Sequence, residues 1–205
     1  MFNNQIVAAL KKRRSIYQLG RSVTTPTNDI VKIAQDAIIE SPTAFNGQTV
    51  KAIFLFDEHH EHLWDLTAER LRSEVPSDEA YQATLKKLNS FKAAFGTILF
   101  FEDSATVRQE EKDYPLYRDN FQDWAEQAQG GAQQAVWVAL TLNNIGASLQ
   151  HYNPLIDEQV REAFAVPAEW VLRAEMPFGS IEAPAGEKSY LPREKRFVVF
   201  QHKAV

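Results

Sequence analysis

The chain has no cysteine among its 205 residues. Disulfides, zinc–thiolate centres, iron–sulfur clusters and cysteine nucleophiles are thereby excluded. A reducing compartment suits such a chain, and the cytoplasm is its expected location. Long apolar runs are missing too: Ala135–Leu140 is far short of the roughly 18–20 residues that a membrane-crossing helix needs. A secretory leader is not expected, since the basic cluster Lys11–Arg14 follows a short mixed stretch, the reverse of a leader's order.

Signatures of phosphate loops and nucleophiles are equally scarce. Gly-x-Gly occurs nowhere, and neither the dinucleotide fingerprint nor the Walker A loop is present. Gly146-Ala147-Ser148-Leu149-Gln150 misses the nucleophile-elbow pattern at its last position. His59, His60 and His62 lack zincin spacing, so they read as the solvated start of a helix and no metal is expected. The pairs Glu110–Glu111 and Asp157–Glu158 read as solvated faces rather than catalytic dyads. A net charge of −5 argues against a nucleic-acid partner, although a local basic pocket is compatible with it.

What is there is an ordinary globular composition, 44% hydrophobic and 24% charged, without repeats or linkers. A single domain over residues 1–205 is the expected organisation. Apolar periodicity predicts helices from Asn3 to about Arg14, after Thr25-Pro26, over His60–Glu74, Ser77–Phe95, Asp119–Ala128, Gly131–Asn144 and Asp157–Phe164. Gly146 reads as the cap that ends the Gly131–Asn144 helix. Strands are predicted over Val50–Phe56, Thr97–Phe101, Ala147–Gln150, Trp170–Met176 and Arg196–His202. Residues 103–118 stay unassigned. Interleaved helices and strands point to α+β or α/β with helices dominant.

Three segments stand out. In Lys11-Lys12-Arg13-Arg14-Ser15, the basic residues either complement a helix C-terminus or, with the hydroxyl, clamp a phosphate. Ser41-Pro42-Thr43-Ala44-Phe45-Asn46-Gly47-Gln48 is either a polar loop or a set of amides suited to a planar heterocycle. Gly146 to Pro154 is either a strand with its exit turn or a surface of small residues against which a flat ring can lie.

Together with Ile16-Tyr17, Gly96-Thr97-Ile98-Leu99-Phe100-Phe101-Glu102-Asp103 and Met176-Pro177-Phe178-Gly179, these segments resemble the nitroreductase family. The likeness is to its short members of the fatty-acid-repression-mutant type. It spans residues 5 to 202, with five segments in the family's order.

The resemblance implies an α+β fold, a central mixed and mostly antiparallel sheet surrounded by helices. It also implies a homodimer with FMN at the subunit interface. Arg13 and Ser15 match positions that contact the flavin's phosphate and ribityl chain, with Arg14 between them and Tyr17 beside them. Asn46 and Gln48 match residues that hydrogen-bond near the isoalloxazine ring. Leu149, Gln150 and His151 match the segment that passes the ring, and Lys188 a late basic residue that reaches the phosphate. His151 and Tyr152 are candidates for lining the substrate pocket.

No catalytic side chain is implied, because the flavin carries the chemistry. The implied activity is ping-pong hydride transfer from NADH or NADPH through flavin N5 to nitroaromatic or quinone-type acceptors. The subgroup's name keeps an alternative open, a flavin-binding sensor with little turnover. The chain departs from the family at Tyr17 and Tyr190, where basic residues are common, and at Gly47, where serine is common.

Overall fold

A computed structural model describes residues 4–201. In chain order the elements are α1 (Gln5–Lys12), β1 (Leu19–Gly20), α2 (Thr27–Ile39), β2 (Val50–Phe56), α3 (Asp57–Leu71), α4 (Asp78–Lys92) and β3 (Gly96–Asp103). There follow α5 (Ser104–Asp113), α6 (Phe121–Leu142), β4 (Gly146–Ala147), α7 (Asp157–Ala163) and β5 (Trp170–Ile181). Single 3-10 turns cover Ala44–Asn46, Pro115–Asn120 and Arg193–Lys195.

The sheet order is β1-β5-β3-β2, with β4 also on β5, and every strand pair is antiparallel. β3 sits in the middle and is buried along nearly its whole length, as its apolar sequence requires. Its side chains alternate between two cores. Ile98 and Phe100 face α2 and α6, whereas Leu99 and Phe101 face α3 and α4. A fully buried phenylalanine at such a position is worth about 3–5 kcal/mol against alanine.

α6 is the axis of the first core. Ala128, Ala132, Val136 and Leu140 lie on its buried stripe and let α2 and the sheet approach closely. The predicted break into two helices does not occur: Gly130 and Gly131 lie inside one 22-residue helix. Glycine weakens a helix by about 1 kcal/mol without forbidding it, and packing on both sides of the pair overrides that weakness. Nor is Gly146 a helix cap. Asn144 takes the left-handed position at φ 59°, and Gly146 belongs to β4, where a Cβ would stand 2.8 Å from Ile181 and 3.0 Å from Leu19.

Other boundaries differ in physically legible ways. α3 begins at Asp57, and of the three histidines near its start His59 and His62 are exposed as expected whereas His60 is not. His60 is fully buried, with Nε2 3.1 Å from the Lys92 carbonyl and Nδ1 2.9 Å from Thr97 Oγ1. The Lys92 carbonyl can only accept, so Nε2 carries the hydrogen. Thr97 Oγ1 accepts from Trp64 Nε1 at 3.1 Å and donates its own proton to Nδ1. Residues 103–118 resolve into α5 and most of a 3-10 turn, with Asp103 capping α5 through Ala105 N and Thr106 N, both at 3.2 Å. Glu110 is also no solvated carboxylate: it is 9% exposed.

The predicted strand at Arg196–His202 is absent over 196–201, and His202 and Asn3 lie outside the described residues. A strand needs a partner ladder, and the tail meets none among the described residues. Phe197, Val198, Val199 and Phe200 are 59–95% exposed.

Candidate functional site

The basic cluster divides at the end of α1. Lys11 and Lys12 occupy the last turn, where they complement the helix C-terminus. Arg13 is the cap residue, and its extended backbone (φ −66°, ψ 120°) carries the chain out of the helix. Ser15 then bridges Ala147, and Ile16 N donates to the Ala147 carbonyl at 2.9 Å. The guanidinium of Arg13 lies 4.3 Å over the Trp137 ring, and its Nε is buried without a partner. Burial, and secondarily the charge of Arg14, lower its pKa.

Arg14 Nη2 donates to the Gly186 carbonyl at 2.5 Å, which ties the segment after β5 to the segment after α1. Lys188 stands 5.1 Å from the Tyr190 ring. Arg13, Arg14, Ser15, Tyr17 and Lys188 line one cleft of about 450 Å³. Among the described residues, none of its three cations is paired with a carboxylate. A half-buried Arg13 without a carboxylate partner, beside two further cations and a hydroxyl, has the chemistry of a phosphate seat.

Residues 146–152 run along β5 directly from that cleft. Ser148 N donates to the Pro177 carbonyl at 3.2 Å, and Gln150 and Glu175 exchange backbone bonds of 2.8 and 3.0 Å. Tyr152 N donates to Glu175 Oε2 at 3.0 Å. Glu175 is 0% exposed and its Oε1 has no partner. Burial pushes its pKa up to about 8. Leu149 packs on the first core, beside α6. Gln150 is buried and bonds Ser148 Oγ at 3.1 Å. His151 projects into solvent. Tyr152 turns the other way, edge-on to Trp64 in the second core.

The amide loop lies further along α6. Phe45 has its ring centroid 6.3 Å from Trp124 and 4.2 Å from Tyr114. Trp124 and Trp137 are thirteen residues apart on α6, about 20 Å along its axis. The cationic cleft and the amide loop therefore sit near two ends of one helix, and among the described residues they line different cavities. Phe45, Asn46 and Gln48 all have positive φ (47°, 59° and 52°), an unusual concentration outside glycine. Asn46 and Gln48 are exposed.

Sequence reasoning missed Trp137 under Arg13, Glu110 beside the amide loop and Glu175 behind residues 150–152. Of these, Glu175 had a signal: a lone carboxylate in the stretch Ala174–Phe178, which is otherwise apolar.

The profile of the nitroreductase family matches residues 10–180. The chain belongs to the nitroreductase family. HBN1 of Saccharomyces cerevisiae is 34% identical over 187 residues, 90% of this chain and 92% of that one. The nitroreductase FRM2 of the same yeast is 30% identical over 93% of this chain and 91% of its own length. Nitroreductase CinD of Lactococcus lactis, solved with 4-nitrophenol, is 43% identical with a TM-score of 0.87 over 96% of this chain and 100% of that one. A structure from Desulfovibrio desulfuricans in complex with FMN shares the fold at a TM-score of 0.68 with 21% identity, covering 98% of this chain and 100% of that one. The family and the α+β fold around an antiparallel sheet are thus those the sequence segments resembled.

Proposed function

We propose that the chain is an FMN-dependent oxidoreductase that moves a hydride from NADH or NADPH to nitroaromatic or quinone-type acceptors. The observation that carries this reading is the cationic cleft, with the buried, unpartnered Nε of Arg13 at its wall. Three cations without carboxylate partners fit a dianionic phosphate, and Ser15 adds a hydroxyl donor. The ligands bound in two solved relatives, FMN in the Desulfovibrio protein and 4-nitrophenol in CinD, support the same reading.

FMN, when bound, supplies the hydride-accepting N5 and hence the redox chemistry. The chain's own residues bind and orient. Arg13, Arg14 and Lys188 neutralise phosphate, and the Leu149–His151 backbone offers a flat wall beside α6. Asn46 and Gln48 present amides that can donate toward a carbonyl-rich ring edge. Donor and acceptor use one face in turn, in a ping-pong cycle. His151 is the exposed side chain beside that wall, and Tyr152 braces it from the second core.

A homodimer belongs to the same reading. Ile6 and Leu10 of α1 and Ala135 and Leu142 of α6 line an apolar groove of about 560 Å³. The exposed apolar tail and the outer edge of β2, unpaired among the described residues, also call for a partner surface. A second copy is also a means of joining an amide loop to a cationic cleft that one chain places near opposite ends of α6.

The decisive test is the absorbance spectrum of the purified protein, before and after anaerobic NADH. Flavin bands that bleach with NADH and return with a quinone support the enzyme. Bands that NADH leaves unchanged favour the sensor. A chain that neither carries nor takes up FMN overturns the reading.

A further inference from the structure

Asn46 is the residue of the amide loop whose side chain makes no hydrogen bond among the described residues. Its two neighbours are both held from outside, and by the same helix. Tyr114, the residue that caps α5, stacks on Phe45 with ring centroids 4.2 Å apart and planes 25° apart. Glu110, four residues earlier and so on the same helix face, lies against Gly47. A Cβ built on Gly47 would stand 2.2 Å from Glu110 Oε1, 2.7 Å from Cδ and 2.9 Å from Oε2. The carboxylate is thus laid across the bare α-carbon of Gly47, a contact that glycine alone admits while Glu110 keeps its place.

The helix that makes these contacts is itself fixed. Asp103 caps its first turn, and Tyr114 N donates to the Glu110 carbonyl at 2.9 Å. Val107, one turn before Glu110, packs with Phe121 and Ala125, and Ala44 of the loop packs against the same cluster. The Glu110 carboxylate makes no hydrogen bond or ion pair among the described residues, so no protein donor offsets the cost of its burial at 9% exposure. Burial and the nearby Asp113 raise its pKa. Its contact with Gly47 is what its position accomplishes.

The loop needs such support. Three of its four residues from Phe45 to Gln48 hold left-handed conformations that L-residues adopt at a cost. Its own bonds, Gly47 N to the Ala44 carbonyl at 2.9 Å and Gln48 N to Thr43 Oγ1 at 2.9 Å, close the turn but leave Asn46 at its tip.

We propose that Glu110 and Tyr114 form a clamp on Gly47 and Phe45 that presents the Asn46 amide, making Glu110 a positioning residue of the site. The role at the flavin rests on the FMN reading above; the clamp itself does not.

The test compares Glu110→Ala, Glu110→Gln, Gly47→Ala and the double variant Gly47→Ala/Glu110→Ala with the parent chain. Two readouts are used: hydrogen exchange of the peptide covering residues 43–49 without cofactor, and FMN affinity with the visible circular dichroism of bound flavin. Glu110→Ala is expected to speed exchange in that peptide, weaken FMN about tenfold and alter the flavin signal. Glu110→Gln, which keeps the shape, restores both. Gly47→Ala reproduces the defect, and adding Glu110→Ala to it costs little more, because the two residues make one contact. Unchanged exchange and unchanged FMN affinity in Glu110→Ala, or a silent Gly47→Ala, would overturn the clamp. A parent chain that takes no FMN overturns the flavin reading, and the exchange data then decide the clamp alone.

Discussion

Arg13 and Trp137 face each other across the junction of α1 and α6, guanidinium over indole at 4.3 Å, and the stack leaves Arg13 Nε buried and without a partner. The ring fixes the plane of the guanidinium before any anion arrives, so its donors are pre-organised. Replacing Arg13 by alanine is expected to weaken FMN binding by at least about 2 kcal/mol, roughly 30-fold. Arg13→Lys should recover only part of the loss, since lysine keeps the charge but not the planar fork. Titration of the cofactor-free protein with FMN measures both, and equal affinity across the three proteins would remove Arg13 from the site.

Asn46→Ala should separate turnover from retention. If the Asn46 amide acts at the ring rather than at the phosphate, kcat with a quinone falls by more than FMN content does. Single-turnover kinetics on fully loaded protein checks this, and proportional loss of both would confine Asn46 to binding.

His60 makes stability depend on acid. Its Nε2–H donates to the Lys92 carbonyl while Nδ1 accepts from Thr97, so a second ring proton would face a hydroxyl already committed as donor. Burial depresses its pKa to about 4 from the ordinary 6.5. The unfolded chain therefore binds this proton first as pH falls. The contribution of His60 to stability drops between pH 6.5 and 4, by on the order of 3 kcal/mol when complete. Chemical denaturation across that range should show the parent losing stability relative to His60→Gln as pH falls; a constant difference between the two proteins would remove His60 as the cause.

Glu175 works in the opposite sense. Its folded-state pKa of about 8 lies above the ordinary 4.5, so the folded chain keeps a proton that the unfolded chain releases. That contribution is full below pH 4.5 and is lost as pH rises toward 8. Glu175→Gln, uncharged at every pH and able to accept from Tyr152 N, should gain on the parent progressively through this window. A constant difference between the two proteins from pH 5 to about 8 would show that Glu175 is not proton-linked to folding.

Gly130 offers a simpler test. A Cβ there meets nothing within 4 Å, and the residue lies inside α6. Gly130→Ala should stabilise the protein by about 0.5–1 kcal/mol. Thermal denaturation measures it, and a loss of stability would mean that the helix needs the glycine.

Much of the fold was legible because apolar period and element type coincide. Val50–Phe56 reads as a strand and is β2, and Ser77 reads as a cap and accepts from Ala80 N. The cationic segment was legible only as a choice between a helix-end complement and a phosphate clamp. Lys11 and Lys12 take the first place, whereas Arg13 caps the helix and Arg14 lies past its end, which the sequence had placed at about Arg14. The misreadings have a common cause. Gly130-Gly131, His60 and Glu110 are each defined by residues distant in the chain, namely the sheet and α2, Thr97, and Gly47. Local rules assign a double glycine to a break, a histidine after acidic residues to solvent and a glutamate pair to a surface. Tertiary contacts reversed all three.

The uncovered tail carries a hazard for the isolated chain. Phe197-Val198-Val199-Phe200 is a short, uncharged, proline-free run of strong β-formers, the composition from which cross-β stacks nucleate. Arg193, Lys195 and Arg196 stand just before it and act as gatekeepers, repelling a second tail in register. Neutralising those three cations should leave the folded domain intact and turn a well-behaved protein into one that precipitates on concentration.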